Sequence, residues 1–400
     1  MRIICWVLPV AIAATTALGL PAAARTESVL YSFDTIGGGF PDGDLLLDKS
    51  GALIGTASGS GSRSSPYGQI FMLSPAHTGW KFKTLVAFDG QDGATPMRGL
   101  TRDSSGLLYG TTVDGGAYGR GAVFTLRRSG HVWTEAVLYD FQSGAVKPEG
   151  PLVVTKGKLY GTAVGGKGTA FELKPSGNSW RASVLKTFNG DDGKYPLGGL
   201  LRDPKTGALY GTTEIGCTYS CGNVFELARS GGQWSETVLY SFHCGKDGAN
   251  PQSTLVEDSS GALYGTTYFG GDLAAGYRNS GAGTVFKLAP SGGGWAETVL
   301  YSFSGSDGEY PEDHDGLLLG KDGAFYGTTS EGGDYECGVL FKLVLSRGAV
   351  KETVLHSFGR VGDGEYPEGG VIEDAKTGAL YGSTFSGGAY GYGTVYRFTQ

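Results

Sequence analysis

Residues 261–267 read Gly-Ala-Leu-Tyr-Gly-Thr-Thr, residues 283–288 read Gly-Thr-Val-Phe-Lys-Leu, and residues 297–303 read Glu-Thr-Val-Leu-Tyr-Ser-Phe. Each run is short, rich in β-branched and aromatic residues, and bounded by Gly, Ser, Asp or Pro. That is how strands joined by turns read. No stretch keeps a helical apolar period over the roughly 11 residues a helix needs.

The same unit recurs along the chain. Its central glycine returns as Gly55, Gly110, Gly161, Gly211, Gly265, Gly327 and Gly382. The aromatic that ends Glu-Thr-Val-Leu-Tyr-Ser-Phe returns as Phe33, Phe88, Phe141, Phe188, Phe242, Phe303 and Phe358. A third landmark runs Phe71, Phe124, Phe171, Phe225, Phe286, Phe341 and Tyr396. All three series give seven copies, from 47 residues apart (Phe141 to Phe188) to 62 (Gly265 to Gly327). Each unit holds four strand-like runs: A (Val-Leu-Tyr-Ser-Phe), B (Gly-Leu-Leu-Arg-Asp), C (Ala-Leu-Tyr-Gly-Thr-Thr) and D (Gly-Thr-Val-Phe-Lys-Leu). Four strands per 40 to 60 residues is the sequence form of a propeller blade. The expectation is an all-β, seven-bladed β-propeller occupying residues 25–400 as one domain.

The first strand-A run, near Val29, has no B, C or D run before it, and the last strand-D run stands near Gln400 without an A run after it. If D and A pair through links such as Pro290-Ser291-Gly292-Gly293-Gly294-Trp295, blades run B-C-D-A and the N-terminal strand completes the last one. Continuous A-B-C-D blades would instead make that link a crossover.

Glycine supplies 72 of 400 residues, while 40% are hydrophobic and 12% aromatic, so a turn-dense β-protein fits and a disordered chain does not. A strand-interior glycine marks close approach of another backbone, which is the expected role of Gly211 and its equivalents. Gly198-Gly199 suits an innermost strand crowded at the axis. Trp80, Trp133, Trp180, Trp234 and Trp295 stand eight residues before the strand-A Phe. Such regularity reads as blade packing rather than sugar stacking.

The N-terminus reads as a signal peptide over residues 1–24: Arg2, an apolar run to about Leu20, then Ala22-Ala23-Ala24. A membrane anchor is the competing reading. Export to the periplasm or beyond is expected, with no membrane span after cleavage. Net charge is -7, with no Lys/Arg cluster, which disfavours nucleic acid as a partner.

Leu209-Tyr210-Gly211-Thr212-Thr213 and Gly283-Thr284-Val285-Phe286-Lys287-Leu288 resemble the GloVer (Gloeo/Verruco) tandem-repeat proteins over essentially the whole mature chain. The resemblance implies export and a repeat fold, and it supplies no catalytic residues.

Repeated positions build a fold, so departures from the repeat are the functional candidates. Asp-Gly pairs in the A–B loops (Asp92, Asp192, Asp247, Asp307, Asp363), each followed by a proline, read as turn chemistry rather than as calcium or sugar ligands. Glu312-Asp313-His314-Asp315 interrupts the start of strand B in the sixth unit. Its carboxylates and imidazole make it a candidate ligand site that could bind a metal or do acid/base work. The enlarged C–D loop of the fifth unit carries Tyr268, Phe269, Tyr277, Arg278 and Asn279, suited to a polar ligand such as a glycan. Cys217 and Cys221, in the C–D loop of the fourth unit, are expected to staple that loop as a disulfide. Cys244 and Cys337 lie in loop classes on one face, with their pairing open. No GxSxG, HExxH or P-loop occurs, and the five histidines share no repeat position. Neither a metal nor a cofactor is expected. The sequence therefore points to a non-catalytic binding scaffold for glycan or a surface polymer. The alternative is a polysaccharide hydrolase or lyase with carboxylates in the central mouth.

Overall fold

A computed structural model describes residues 26–34, 38–59, 65–276, 280–311, 316–346 and 348–400. The proposed signal segment lies outside these residues. Seven four-stranded antiparallel sheets form the blades of a propeller, with no helix among the described residues. Blade 1 comprises Leu46–Leu47, Leu53–Ala57, Gln69–Pro75 and Trp80–Ala87, in the order B-C-D-A. Blades 2 to 6 repeat this order over residues 101–140, 153–187, 201–241, 256–302 and 318–357.

Blade 7 takes its B, C and D strands from residues 372–399, and its A strand is Thr26–Ser32 at the other end of the chain. Thr26 pairs with Thr399 and Val29 with Tyr396, so the ring closes through backbone hydrogen bonds as the B-C-D-A reading requires.

One irregularity recurs in every blade. Strand A bulges against strand D, as where Val285 faces Tyr301 but Phe286 faces Val299, leaving Leu300 over. The equivalents are Leu30, Leu85, Leu138, Leu185, Leu239 and Leu355. A bulge re-aims its extra residue. Each of these leucines packs on a buried cluster. The clusters take their members from neighbouring blades; one joins Phe33, Leu53, Phe71, Ala379 and Val395 across the closure. The core is therefore distributed over the blade joins.

Gly211 corrects one sequence expectation. What approaches it is a ring rather than another backbone: Phe225, its cross-strand partner, would lie 2.6 Å from an added Cβ, with Leu200 at 3.1 Å. Gly198 does adjoin a neighbouring backbone, since a Cβ there would meet the Ser253 carbonyl oxygen at 2.6 Å. The tryptophans pack as expected, blade to blade: Trp234 on Tyr160, Trp295 on Tyr210 and, across the closure, Trp80 on Tyr381.

The paired threonines of strand C divide their work. Thr56, Thr162, Thr212 and Thr328, with Ser383 at the same place in blade 7, donate to the innermost backbone of the next blade. Thr213, Thr267, Thr329 and Thr384, one residue later, donate to their own C–D loop. Buried bonds of this kind contribute about 0.5–1.5 kcal/mol each.

Candidate ligand face

The A–B and C–D loops share one face, as expected. Within the loop face they pair with each other, through Ala94 with Asp114, Lys194 with Ile215, Ala249 with Phe269 and Glu309 with Glu331. The Asp-Gly glycines sit under these pairs. An added Cβ at Gly193, where φ is +117°, would fall 2.3 Å from the Thr213 hydroxyl. The aspartates act as turn acceptors: Asp92 Oδ1 takes the Asp89 N–H and Asp192 Oδ1 the Asn189 N–H.

The residue before each repeat proline holds the face together. Phe40, Thr95, Lys147, Tyr195, Asn250, Tyr310 and Tyr366 all have positive φ, between 54° and 60°. That region is unfavourable for side-chain-bearing residues and persists only where the surroundings impose it. Here two blades impose it. The Tyr195 N–H donates to the Lys167 carbonyl of blade 3, and its own carbonyl accepts the Glu214 N–H of blade 4. Asn250 repeats this between Cys221 and Tyr268, and Tyr366 between Cys337 and Phe385.

This arrangement corrects the cysteine expectation. The disulfide joins Cys221 to Cys244, Cα to Cα 5.4 Å, while Cys217 and Cys337 are free. Position 221 is the repeat position whose carbonyl meets the next A–B loop, so it faces Cys244 by architecture. Cys217 is turned away, with φ +60° and its N–H on the Gly190 carbonyl, and its Sγ accepts from Asn223 Nδ2 at 2.7 Å. Cys337 holds the matching place in blade 6 and meets Gly359 instead of a cysteine. Burial pushes its thiol pKa up.

At the axis, Arg98 is only 3% exposed and spans three blades. Its guanidinium donates to Asp42 Oδ1 at 3.2 Å and Glu149 Oε1 at 3.0 Å. Gln252 Nε2 donates to Glu214 Oε1 at 3.3 Å. Burial pushes the Glu214 carboxyl above its ordinary range, and the nearby Glu149 charge adds to this.

Of the candidate residues, Tyr268 and Phe269 are described, while Tyr277, Arg278, Asn279, Asp313, His314 and Asp315 lie outside the described residues. Tyr268 stacks on Tyr310, with centroids 4.9 Å apart and rings 17° from parallel. Phe269 packs on the hydrophobic cluster of blades 4 and 5.

Reading for departures from the repeat missed a feature that is itself repeated. Tyr67, Tyr118, Tyr219, Tyr335 and Tyr390 all sit in C–D loops and are 41% to 62% exposed. Four of them stand three residues before the glycine that leads into strand D (Gly121, Gly222, Gly338, Gly393), a spacing the sequence does display. Tyr335 is held by Arg360, whose Nε donates to its hydroxyl at 2.9 Å; Tyr219 lies against His243 at 4.4 Å.

The sequence profile of the Gloeobacter/Verrucomicrobia repeat matches residues 16–167, 143–314 and 313–400. No curated protein matches the chain by sequence. Solved structures match by shape. A candidate 6-phosphogluconolactonase from Bacteroides fragilis superposes with a TM-score of 0.53 at 14% identity, over 83% of this chain and 87% of that one. A similar candidate from Bacteroides uniformis gives 0.52 at 12%, over 83% and 88%. The WD40 β-propeller domain of Doa1 gives 0.52 at 12%, over 94% and 97%. At such identities the likeness concerns the fold alone.

Proposed function

We propose that this chain, which belongs to the Gloeobacter/Verrucomicrobia repeat family, is an exported, non-catalytic scaffold whose loop face binds a glycan or another surface polymer. The observation that carries this reading is the set of exposed tyrosines at equivalent C–D loop positions. A tyrosine offers an apolar face to a sugar ring and a hydroxyl to its polar groups. Here several stand on loops fixed by a rigid ring, where binding residues usually sit. Repetition around the ring suits a repetitive ligand, because weak contacts at several blades add through effective concentration. Tyr268, at the start of the enlarged C–D loop, belongs to the same face. Two features support export: the apolar N-terminal run ending in Ala22-Ala23-Ala24, and the Cys221–Cys244 disulfide, a bond that persists in oxidising compartments.

The catalytic alternative needs free carboxylates in the mouth. Asp42 and Glu149 are instead tied to Arg98, which favours the scaffold. A glycan array run beside reducing-sugar release tests the two readings. The scaffold predicts retention of a polymer without release. Release that is abolished in Glu214→Gln or Glu149→Gln would overturn it.

A further inference from the structure

A carboxyl pair recurs at the blade joins, apart from the ligand face. Glu27, Glu135, Glu236, Glu297 and Glu352 each stand six residues before the strand-A Phe, and each is within electrostatic reach of the Asp of the preceding Asp-Gly turn. The two members come and go together. Phe82 and Ala182 replace the Glu in blades 1 and 3, and no Asp-Gly stands between Phe33 and Pro41 or between Phe141 and Pro148. Each of the five glutamates has one buried oxygen, Oε1, without a hydrogen-bond partner.

One join reveals what the pair accepts. Between blades 3 and 4, Lys186 Nζ bonds both Asp192 Oδ2 and, at 2.7 Å, Glu236 Oε2. Lys186 stands two residues before Phe188. In blade 6 the same place, two before Phe358, is His356.

We propose that Glu27, His356 and Asp363 form a divalent-cation site of the Zn²⁺ or Mn²⁺ type between blade 6 and the closing N-terminal strand. One ligand atom from each residue lies within 4.8 Å of the others. His356 Nε2 and Asp363 Oδ2 are already in contact at 2.8 Å, a hydrogen bond that an ion binding both atoms would replace. Asp363 is 8% exposed, and its Oδ1 accepts the Gly364 N–H at 2.7 Å, which aims the second oxygen at the site. A cavity of about 410 Å³, bordered by Thr26 and Arg360, opens on the group and leaves room for water as a further ligand. Arg360 at its edge is turned toward Tyr335, donating to the hydroxyl and lying over the ring. An imidazole with two carboxylates suits a borderline transition ion better than Ca²⁺ or Mg²⁺, which prefer all-oxygen shells. The ion would replace the lysine that bridges the equivalent pair, and would tie the closing strand to blade 6.

The test uses the untagged full chain, stripped with EDTA and titrated with ZnCl₂ by calorimetry. One saturable site per chain and a raised melting temperature are expected. His356→Ala and Asp363→Asn should weaken binding by about 100-fold or more, since losing even an outer-shell partner costs about 10–100-fold. His243→Ala should bind as the parent does. Failure to take up one equivalent of Zn²⁺, or His356→Ala retaining parental affinity, overturns the proposal. Should the variants misfold, NMR of the parent loaded with Co²⁺ decides the matter. Paramagnetically shifted signals from a single imidazole support the site, and their absence overturns it.

Discussion

The two faces of the ring are built from the same repeat by opposite means. On the hairpin face, the turns between strands B and C are local. Asp103 Oδ1 accepts the Ser105 and Leu107 N–H groups, and Asp48 and Asp258 do the same for their own turns. Each such turn closes within five residues and needs no neighbouring blade. On the loop face, the residue before each proline is held in a left-handed conformation by bonds to two blades. These three hairpin turns are therefore properties of their own units, whereas the left-handed residues of the loop face depend on two adjoining blades. A face defined by backbone bonds also leaves its side chains free to vary, as the run Phe40, Thr95, Lys147, Tyr195, Asn250, Tyr310, Tyr366 displays.

Removing Thr26–Ser32 is the hardest way to break this contrast. It strips strand A from blade 7, exposes a sheet edge, and removes Leu30 and Tyr31 from the closure cluster. Hydrogen exchange should then rise at loop-face amides such as Val113 and Glu214 while the Asp103 turn stays protected, and melting should drop sharply. A melting temperature within about two degrees of the parent would contradict ring closure as the source of loop-face order.

Cys244→Ala attacks one bond between loops. The disulfide spans 23 residues, so its loss should cost about 3 kcal/mol in denaturant unfolding. Unreduced peptide maps of the parent should link Cys221 to Cys244 and leave Cys217 alkylated. A Cys217–Cys221 peptide would refute this pairing.

Single hydroxyls give a finer version of the contrast. Thr212→Val leaves the buried Ser253 carbonyl without its donor and should cost about 1–2 kcal/mol. Ser105→Ala, on the hairpin face, removes one exposed bond and should cost less than about 0.5 kcal/mol. Equal effects would erase the distinction.

Titration sharpens it further. Burial, then the charge of Asp92, pushes the Glu135 carboxyl at the blade 1–2 join to about 7. A carboxyl raised in the folded state favours the protonated form, so stability falls as pH rises from about 4.5 through 7. The hairpin-face Asp374 goes the other way: the Lys376 N–H and the Thr377 hydroxyl hold it below its ordinary value. Its contribution is lost as pH falls through its lowered pKa. Melting should therefore peak in mildly acidic buffer, and Glu135→Gln should flatten the fall toward neutral pH. A melting temperature that climbs from pH 5 to 7.5 would contradict these assignments.

Much of this architecture was legible in the residues. Seven copies of the glycine and phenylalanine landmarks, with strand A placed first and strand D last, contain both the blade count and the closure. Less legible were features that depend on neighbours. Nothing local to Cys217-Thr218-Tyr219-Ser220-Cys221 reveals that Cys221 faces the next A–B loop, because that contact is set by Asn250 one blade on. A positive φ at Tyr195 is likewise invisible beside Pro196, whose local effect favours extended backbone. Tyr118 and Tyr335 were hidden for a different reason. They repeat, and a search for departures passes over repeats.

In the proposed scaffold, the exposed tyrosines of the loop face form the binding surface. The direct measurement is the affinity of Tyr118→Ala/Tyr335→Ala/Tyr390→Ala for the polymer retained on the array, beside its melting curve. Base–aromatic stacking in other systems, about 1–3 kcal/mol per contact, sets the scale for a loss of tenfold or more, while melting stays close to the parent. Unchanged affinity in a folded triple variant would contradict the account.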